Sequence, residues 1–289
     1  MVLNDKELRR LQLIEVDMLK EIIRICDELD LRYYVLGGTL LGAVRHNGFI
    51  PWDDDIDLGL PREDYTVFIQ KAPRMLSDNL FLQHHRTDEG YCMNMVKIRN
   101  VHTTFVETHS RMQNIRHGVF IDIFPLDNAP ISAVAKLYFR VMNKLLGMRI
   151  GEAYEWVPRT PLRGWLKKCA YRALSCIWPD VPCAVAAREK LLCSFPNRGM
   201  IGNLCGAWGI KEIMPAEWHA EGCSLDFEGI AVKAPIQYEK WLTQVYGDYM
   251  TLPPEEKRVT HHDTVRIDLD IPYMDYVISG EIACPQEGK

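Results

Sequence analysis

No stretch of this chain approaches the roughly 20 consecutive apolar residues that span a bilayer. Its first residues, MVLNDKELRRLQLIEV, carry charge where a secretory signal would carry an apolar run. The expected location is therefore the cytosol. The nine cysteines include no Cys-x-x-Cys pair, which fits reduced thiols used as small apolar side chains. Cys169, Cys176 and Cys183 fall seven apart and can share a helix face, but no suitably spaced histidines accompany them, so a zinc site is not expected. Positive charge is also short: 34 Lys and Arg against 39 Asp and Glu leave a net of −5, which gives no global pull toward nucleic acid. What is present, 47 % hydrophobic and 25 % charged over 289 residues, suits a globular protein with one sizeable core, or a core with a helical annex.

The densest chemistry lies between Tyr33 and Tyr65: YYVLGGTLLGAVRHNGFIPWDDDIDLGLPREDY. An apolar run, Tyr33 to Leu36, meets Gly37-Gly38-Thr39 and reads as a strand ending in a tight turn that opens a helix from Thr39 to Arg45. Glycines there let backbone approach a ligand, and free N–H groups at a helix start suit a phosphate. Asp53, Asp54, Asp55 and Asp57 follow Pro51-Trp52. The alternation Asp55-Ile56-Asp57-Leu58 reads as a half-buried strand with both aspartates on one face. Two close carboxylates repel unless a cation sits between them, and an all-oxygen set suits Mg2+ or Mn2+. A phosphate cradle beside paired aspartates points to metal-assisted phosphoryl or nucleotidyl transfer.

Leu36-Gly37-Gly38 and Asp55-Ile56-Asp57-Leu58 match the signature of the nucleotidyltransferase-fold superfamily. The long spacer, within GTLLGAVRHNGFIPWDDDID, resembles the LicD family of phosphotransferases in particular. Weaker resemblance runs through Lys97 and GVFIDIFPLD to FEG and YGDYMTLPP. The resemblance implies an α+β fold: a nucleotidyltransferase-like mixed sheet flanked by helices, with a helical insert. It implies transfer of a phospho-alcohol group, phosphocholine first, from a CDP-linked donor to the sugar hydroxyl of a glycan acceptor that can be lipid-linked. The expected divisions are a catalytic core over 1–130, a basic helical insert over 131–198 and a closing segment over 199–289.

Residues 5–29 read as an amphipathic helix with Asn4 or Asp5 as cap and Ile14 or Glu15 on its inner face. Pro61 to about Leu76 reads as a second helix with Pro early in it. Residues 79–84 read as a strand, and 93–100 with 103–107 as a strand pair around a turn. Lys97, mid-strand, faces either solvent or a phosphate; the resemblance favours the phosphate. Arg45 grips a phosphate or pairs with an aspartate. Asp122 lies in the apolar run GVFIDIFPLD, where a carboxylate is costly unless paired or on a metal. Asp55, Asp57 and Asp122 then make the three-carboxylate metal set, with Asp122 assisting the base. Asp127 reads as a cap.

Residues 132–178 hold nine Lys and Arg against two acids, Glu152 and Glu155, a net of +7 that leaves −12 for the rest. The plain reading is a helical subdomain with a solvated basic face, and the second is peripheral contact with a membrane. Residues 225–232 read as a hairpin turning at Glu228-Gly229. Trp208, Trp218 and Tyr249 are candidates to contact a quaternary ammonium. His261-His262-Asp263 is set aside as a metal pair, since adjacent histidines on a strand face opposite ways. Two other functions stay open: NMP transfer from an NTP on the same aspartates, and an inactive binding module.

Overall fold

The computed structural model describes residues 3–154, 161–260 and 262–278. Glu155, Arg159 and His261 lie outside them. The N-terminal periodicity becomes α1 (Asp5–Glu28). The Asn4 side chain accepts the backbone N–H groups of Lys6 and Glu7, and the Glu7 carboxylate accepts the Asn4 N–H at 3.0 Å, a capping box that satisfies donors the helix leaves unpaired. Leu8, Leu11, Leu19, Ile22 and Ile25 are buried. Of the two inner-face candidates, Glu15 is turned inward at 1 % exposure and Ile14 is half-buried.

β1 (Tyr34–Val35) leads at once into α2 (Gly37–His46), which begins two positions before the expected Thr39. β2 (Asp57–Pro61) runs antiparallel to β1 and directly into α3 (Arg62–Lys71). Pro61 is thus the last strand residue and the helix cap. β3 (Leu80–Gln83), β4 (Val96–Asn100), β5 (Thr104–Glu107) and β6 (Phe120–Asn128) follow. The main sheet has the order β1-β2-β6-β4-β3 and is mixed: β2 and β6 are parallel, the other neighbours antiparallel. This register aligns Asp57 with Asp122, Asp122 with Lys97, and Lys97 with Gln83. Residues in register on neighbouring strands share a face, so one row of four polar side chains crosses the sheet.

α4 (Ala133–Ile150), α5 (Pro161–Ser175) and α6 (Val181–Leu192) have their own buried cluster, including Phe139, Leu146, Leu174, Val185 and Leu192. The main core under α1 and the sheet is separate. Not every base of this segment is solvated. Arg149 is 4 % exposed, donates to the carbonyls of Trp178 and Pro179, and pairs with Glu152. Asp127, expected to be a cap, is instead buried at 1 %: Arg62 Nε and Nη2 each donate to it at 2.6 Å, and Arg62 Nη1 reaches Glu189 on α6 at 2.5 Å. Arg62 therefore clamps the sheet to the helical cluster.

β7 (Met200–Asn203) pairs with the end of β6, and β8 (Met214–Pro215) with β7. β9 (Cys223–Phe227) and β10 (Ile230–Ala234) form the expected hairpin. Glu228 and Gly229 have φ of 54° and 76°, as a two-residue turn between right-twisted strands requires. α7 (Tyr238–Tyr246), β11 (Thr264–Asp268) and α8 (Tyr273–Ile278) complete the described chain. The expected pairing of 93–100 with 103–107 does not form. Both edges of β4 are taken by β3 and β6, so β5 leaves the main sheet and pairs with β11. Among the described residues no helix is long and apolar enough to cross a membrane.

Candidate active site

At the junction of α2, β2 and β6 lies a cleft of about 640 Å³. Gly37 and Gly38, at the head of α2, form part of its wall with Asp53, Asp55, Asp57 and Asp122. The glycines are needed for the aspartates themselves. Gly37 has φ +55°, and a Cβ there would stand 2.7 Å from Asp57 Oδ2; a Cβ on Gly38 would stand 2.5 Å from Asp53 Oδ2. A side chain at either position would push the aspartate out of its place. Thr39, expected at a phosphate, is buried and does not line the cleft; its hydroxyl accepts the Asp57 backbone N–H at 2.8 Å and so fixes the start of β2. Arg45 does line the cleft, but Nη1 donates to the Tyr249 carbonyl at 2.8 Å, and burial lowers its pKa.

Lys97 faces neither solvent nor the cleft. It is 2 % exposed, hydrogen-bonds Asp122 Oδ2 at 3.1 Å, and lies 2.9 Å from Oδ1, off the hydrogen-bonding direction. Its Nζ sits 3.4 Å from the centre of the Phe120 ring and 4.0 Å from Glu107. Arg99, also buried, donates to Gln83 at 2.9 Å and to Glu107 at 3.4 Å. Burial pushes the Glu107 carboxyl up, but Lys97, Arg99 and His262 outweigh it and hold its pKa at about 2. The strand-row thus ends in a patch where buried acids and bases balance.

The other acids are not balanced. Burial, then the charges of Asp55 and Asp54, push the Asp53 pKa well up. Burial, then Asp55 and Asp122, do the same to Asp57. Burial also raises Asp55, partly offset by His262. Glu15 is raised well above the usual range by burial and then by Asp55, and its Oε2 has no hydrogen-bond partner. Ligand oxygens of Asp53, Asp54 and Asp55 all fall within 4.8 Å of one another. A buried, oxygen-only set of mutually repelling carboxylates fits a hard divalent cation.

Three of these residues were missed or set aside in the sequence. Glu15 had a signal, its helical spacing. His262 had one too, the adjacent histidines, but the strand argument that set them aside does not apply, since His262 lies just before β11; there Nδ1 contacts Asp54 Oδ1 at 3.2 Å and Nε2 lies 4.0 Å from Asp55 and 3.9 Å from Glu107. Burial lowers its pKa, but the Asp54 hydrogen bond and the charge of Asp55 prevail and hold it up at about 9. Nδ1–H is therefore a donor at neutral pH. Glu107 reads in the sequence only as the end of a strand.

Part of the cleft wall is aromatic. Trp208 and Tyr249 line it with Trp52 and Tyr246, and Trp208 meets Tyr246 edge-on at 5.5 Å. Trp218, the third aromatic candidate, does not line the cleft and packs on the main core instead. Two further carboxylates, Asp248 and Glu212, also line the cleft. Burial raises Glu212 to about 8, against hydrogen bonds from Asn203 and the Trp208 backbone.

The parts of the chain that build this cleft also carry its sequence kinship. Residues 30–144 match the family described as LicD/FKTN/FKRP, nucleotidyltransferase domain. The lipopolysaccharide cholinephosphotransferase LicD of Haemophilus influenzae is 30 % identical over 265 residues, covering 88 % of this chain and 96 % of that protein. The human ribitol 5-phosphate transferase FKRP is 46 % identical over 43 residues, 15 % of this chain and 9 % of that protein. An uncharacterised protein of Rickettsia typhi is 32 % identical over 90 residues, 29 % of each chain. The FKRP match is local, but the LicD match covers 88 % of this chain, and on that extent the chain belongs to the LicD family.

Proposed function

We propose that the chain is a metal-dependent phosphotransferase with a nucleotidyltransferase-like core. It moves a phospho-alcohol group, phosphocholine first among the candidates, from a CDP-activated donor to a sugar hydroxyl of a cell-surface glycan. The donor's phosphoanhydride P–O bond breaks, a sugar O–P bond forms, and CMP leaves. Residues 1–130 act as the catalytic core, 131–198 as an insert, and 199–289 as the closing wall.

The observation that carries this reading is a single cleft lined both by clustered carboxylates and by aromatic rings. Asp55 and Asp57 would hold Mg2+ or Mn2+, with Asp53 and Asp122 beside them. When bound, the cation supplies neutralising charge for the phosphoryl oxygens and the leaving CMP. Asp122, oriented by Lys97, takes the proton of the attacking hydroxyl at Oδ1. Gly37 and Gly38 keep the carboxylates close to the helix start, and Arg45 steadies phosphate charge from the cleft wall. Trp208 and Tyr249 offer ring faces to a trimethylammonium group, with Asp248 as a counter-charge. The kinship to a cholinephosphotransferase along nearly its whole length agrees with this choice.

The test is CMP release from CDP-choline, CDP-ethanolamine, CDP-glycerol and CDP-ribitol, with Mg2+ and sugar acceptors, comparing wild type with Asp55→Ala. Metal-dependent CMP release that the variant loses supports the reading. Pyrophosphate from an NTP, with no CMP from any donor, overturns it in favour of nucleotidyl transfer.

A further inference from the structure

Helix α4 divides its surface into three strips. Phe139, Leu146 and Ile150 are buried in the helical cluster. Val134, Leu137, Tyr138, Val141 and Met148, spaced three, four and seven apart, form a second apolar strip with exposures of 79, 61, 53, 48 and 36 %. At 100° per residue, Arg140 and Lys144 fall along one flank of that strip, and both are exposed. A helix on a globular surface normally turns polar residues to water. One exposed Leu is ordinary, but a contiguous ridge over four turns marks a docking surface.

The neighbourhood says what docks. α5 presents Trp165 at 62 % exposure, with exposed Lys168 and Arg172 three and seven residues on. Residues 132–178 carry +7 while the remainder of the chain carries −12. Apolar strip, basic flank and amphipathic aromatics are the recognition chemistry of an anionic lipid surface. A second copy is a poorer occupant. An antiparallel pair, ridge on ridge, would set both basic flanks on the same side, where they repel. We infer that α4 lies on an anionic phospholipid bilayer, its ridge at the headgroup boundary and Arg140 and Lys144 against lipid phosphates. This does not depend on the proposed reaction.

The full chain is sedimented with vesicles of phosphatidylcholine alone and of phosphatidylcholine with phosphatidylglycerol, at low and high salt. Two variants are compared, Leu137→Glu/Val141→Glu and Arg140→Glu/Lys144→Glu, each checked by thermal unfolding and light scattering. The wild type should bind the anionic vesicles roughly tenfold or more above the neutral ones and lose most of that at high salt. Each variant should lose roughly tenfold. The charge-reversal variant leaves every apolar contact in place, so it carries the test even where the ridge variant unfolds. Equal or no binding to the two vesicles, or unchanged binding by a folded variant, overturns the inference. So does a wild-type dimer that the ridge variant turns into a monomer, which would assign α4 to a contact between copies. CMP release enters none of these measurements.

Discussion

Strand β6 separates two groups of buried acids that are handled in opposite ways. On the β4 side, Asp122 and Glu107 sit against Lys97 and Arg99, and the Glu107 pKa is held at about 2. On the β2 side, Asp53, Asp55 and Asp57 crowd beside Glu15, and all four pKa values are raised, burial first. The first arrangement is how a fold accommodates buried charge, since each ion has a partner. The second works against the fold, because like charges repel in a region of low polarity. An unbalanced acidic cluster persists where something else needs it. The contrast therefore separates acids whose charge the fold balances from acids left unbalanced, with Asp122 at the border, paired with Lys97 and also lining the cleft.

The largest expected effect breaks the unbalanced side. Asp57→Asn should lower metal-dependent CMP release by roughly three orders of magnitude, as loss of several kcal/mol of charge stabilisation implies. The thermal midpoint of the metal-free protein should hold or rise, because a repelling charge is gone. A fall in midpoint matching the fall in activity would make Asp57 structural. On the balanced side the outcome reverses. Lys97→Met leaves Asp122 and Glu107 short of a cation, and breaking a buried pair costs about 3–5 kcal/mol. Urea unfolding measures it, and a loss below 1 kcal/mol, on the scale of exposed pairs, would end the distinction.

Stability against pH sharpens the comparison further. Glu212 has a folded pKa of about 8 against an ordinary 4.5. Its contribution is full below pH 4.5 and is lost as pH climbs to about 8, so Glu212→Gln should flatten the decline across that window. Glu107 runs the other way. With a folded pKa of about 2 against 4.5, its contribution is present above pH 4.5 and lost as pH falls toward 2. Glu107→Gln should remove that acid-side loss. Unfolding curves at several pH values decide both. The smallest effect belongs to the aromatic residues. Trp208→Leu removes one exposed cation–π surface worth about 0.5–1 kcal/mol, so KM for a choline donor should rise a few-fold with kcat unchanged.

Much of the local structure could be read from spacing alone. Helical periodicity placed α1, and two alternatives at one turn resolved to Glu15 because its neighbours four and seven residues on are core. Gly229 marks the hairpin turn, since glycine accepts positive φ at no steric cost, and Glu228 takes a positive φ beside it. Gly37, Gly38 and the aspartates were legible as a unit because the turn, the strand and the acids lie within about two dozen residues. One reason for the glycines was not: a Cβ on either would press on an oxygen of Asp57 or Asp53.

The sequence by itself determined that this chain has an acidic motif poised at a strand–turn–helix junction, with an α+β element pattern around it. Those are short-range facts, set by dihedral preference and by the periods of strand and helix. Only the tertiary structure decided that Lys97 belongs to Asp122 and Glu107, that Asp127 belongs to Arg62, and that β11 delivers His262 to Asp54. Each depends on which strand edge was free and which buried charge lacked a partner. Such questions are settled by packing between segments remote in the chain, and no window of residues contains their answer.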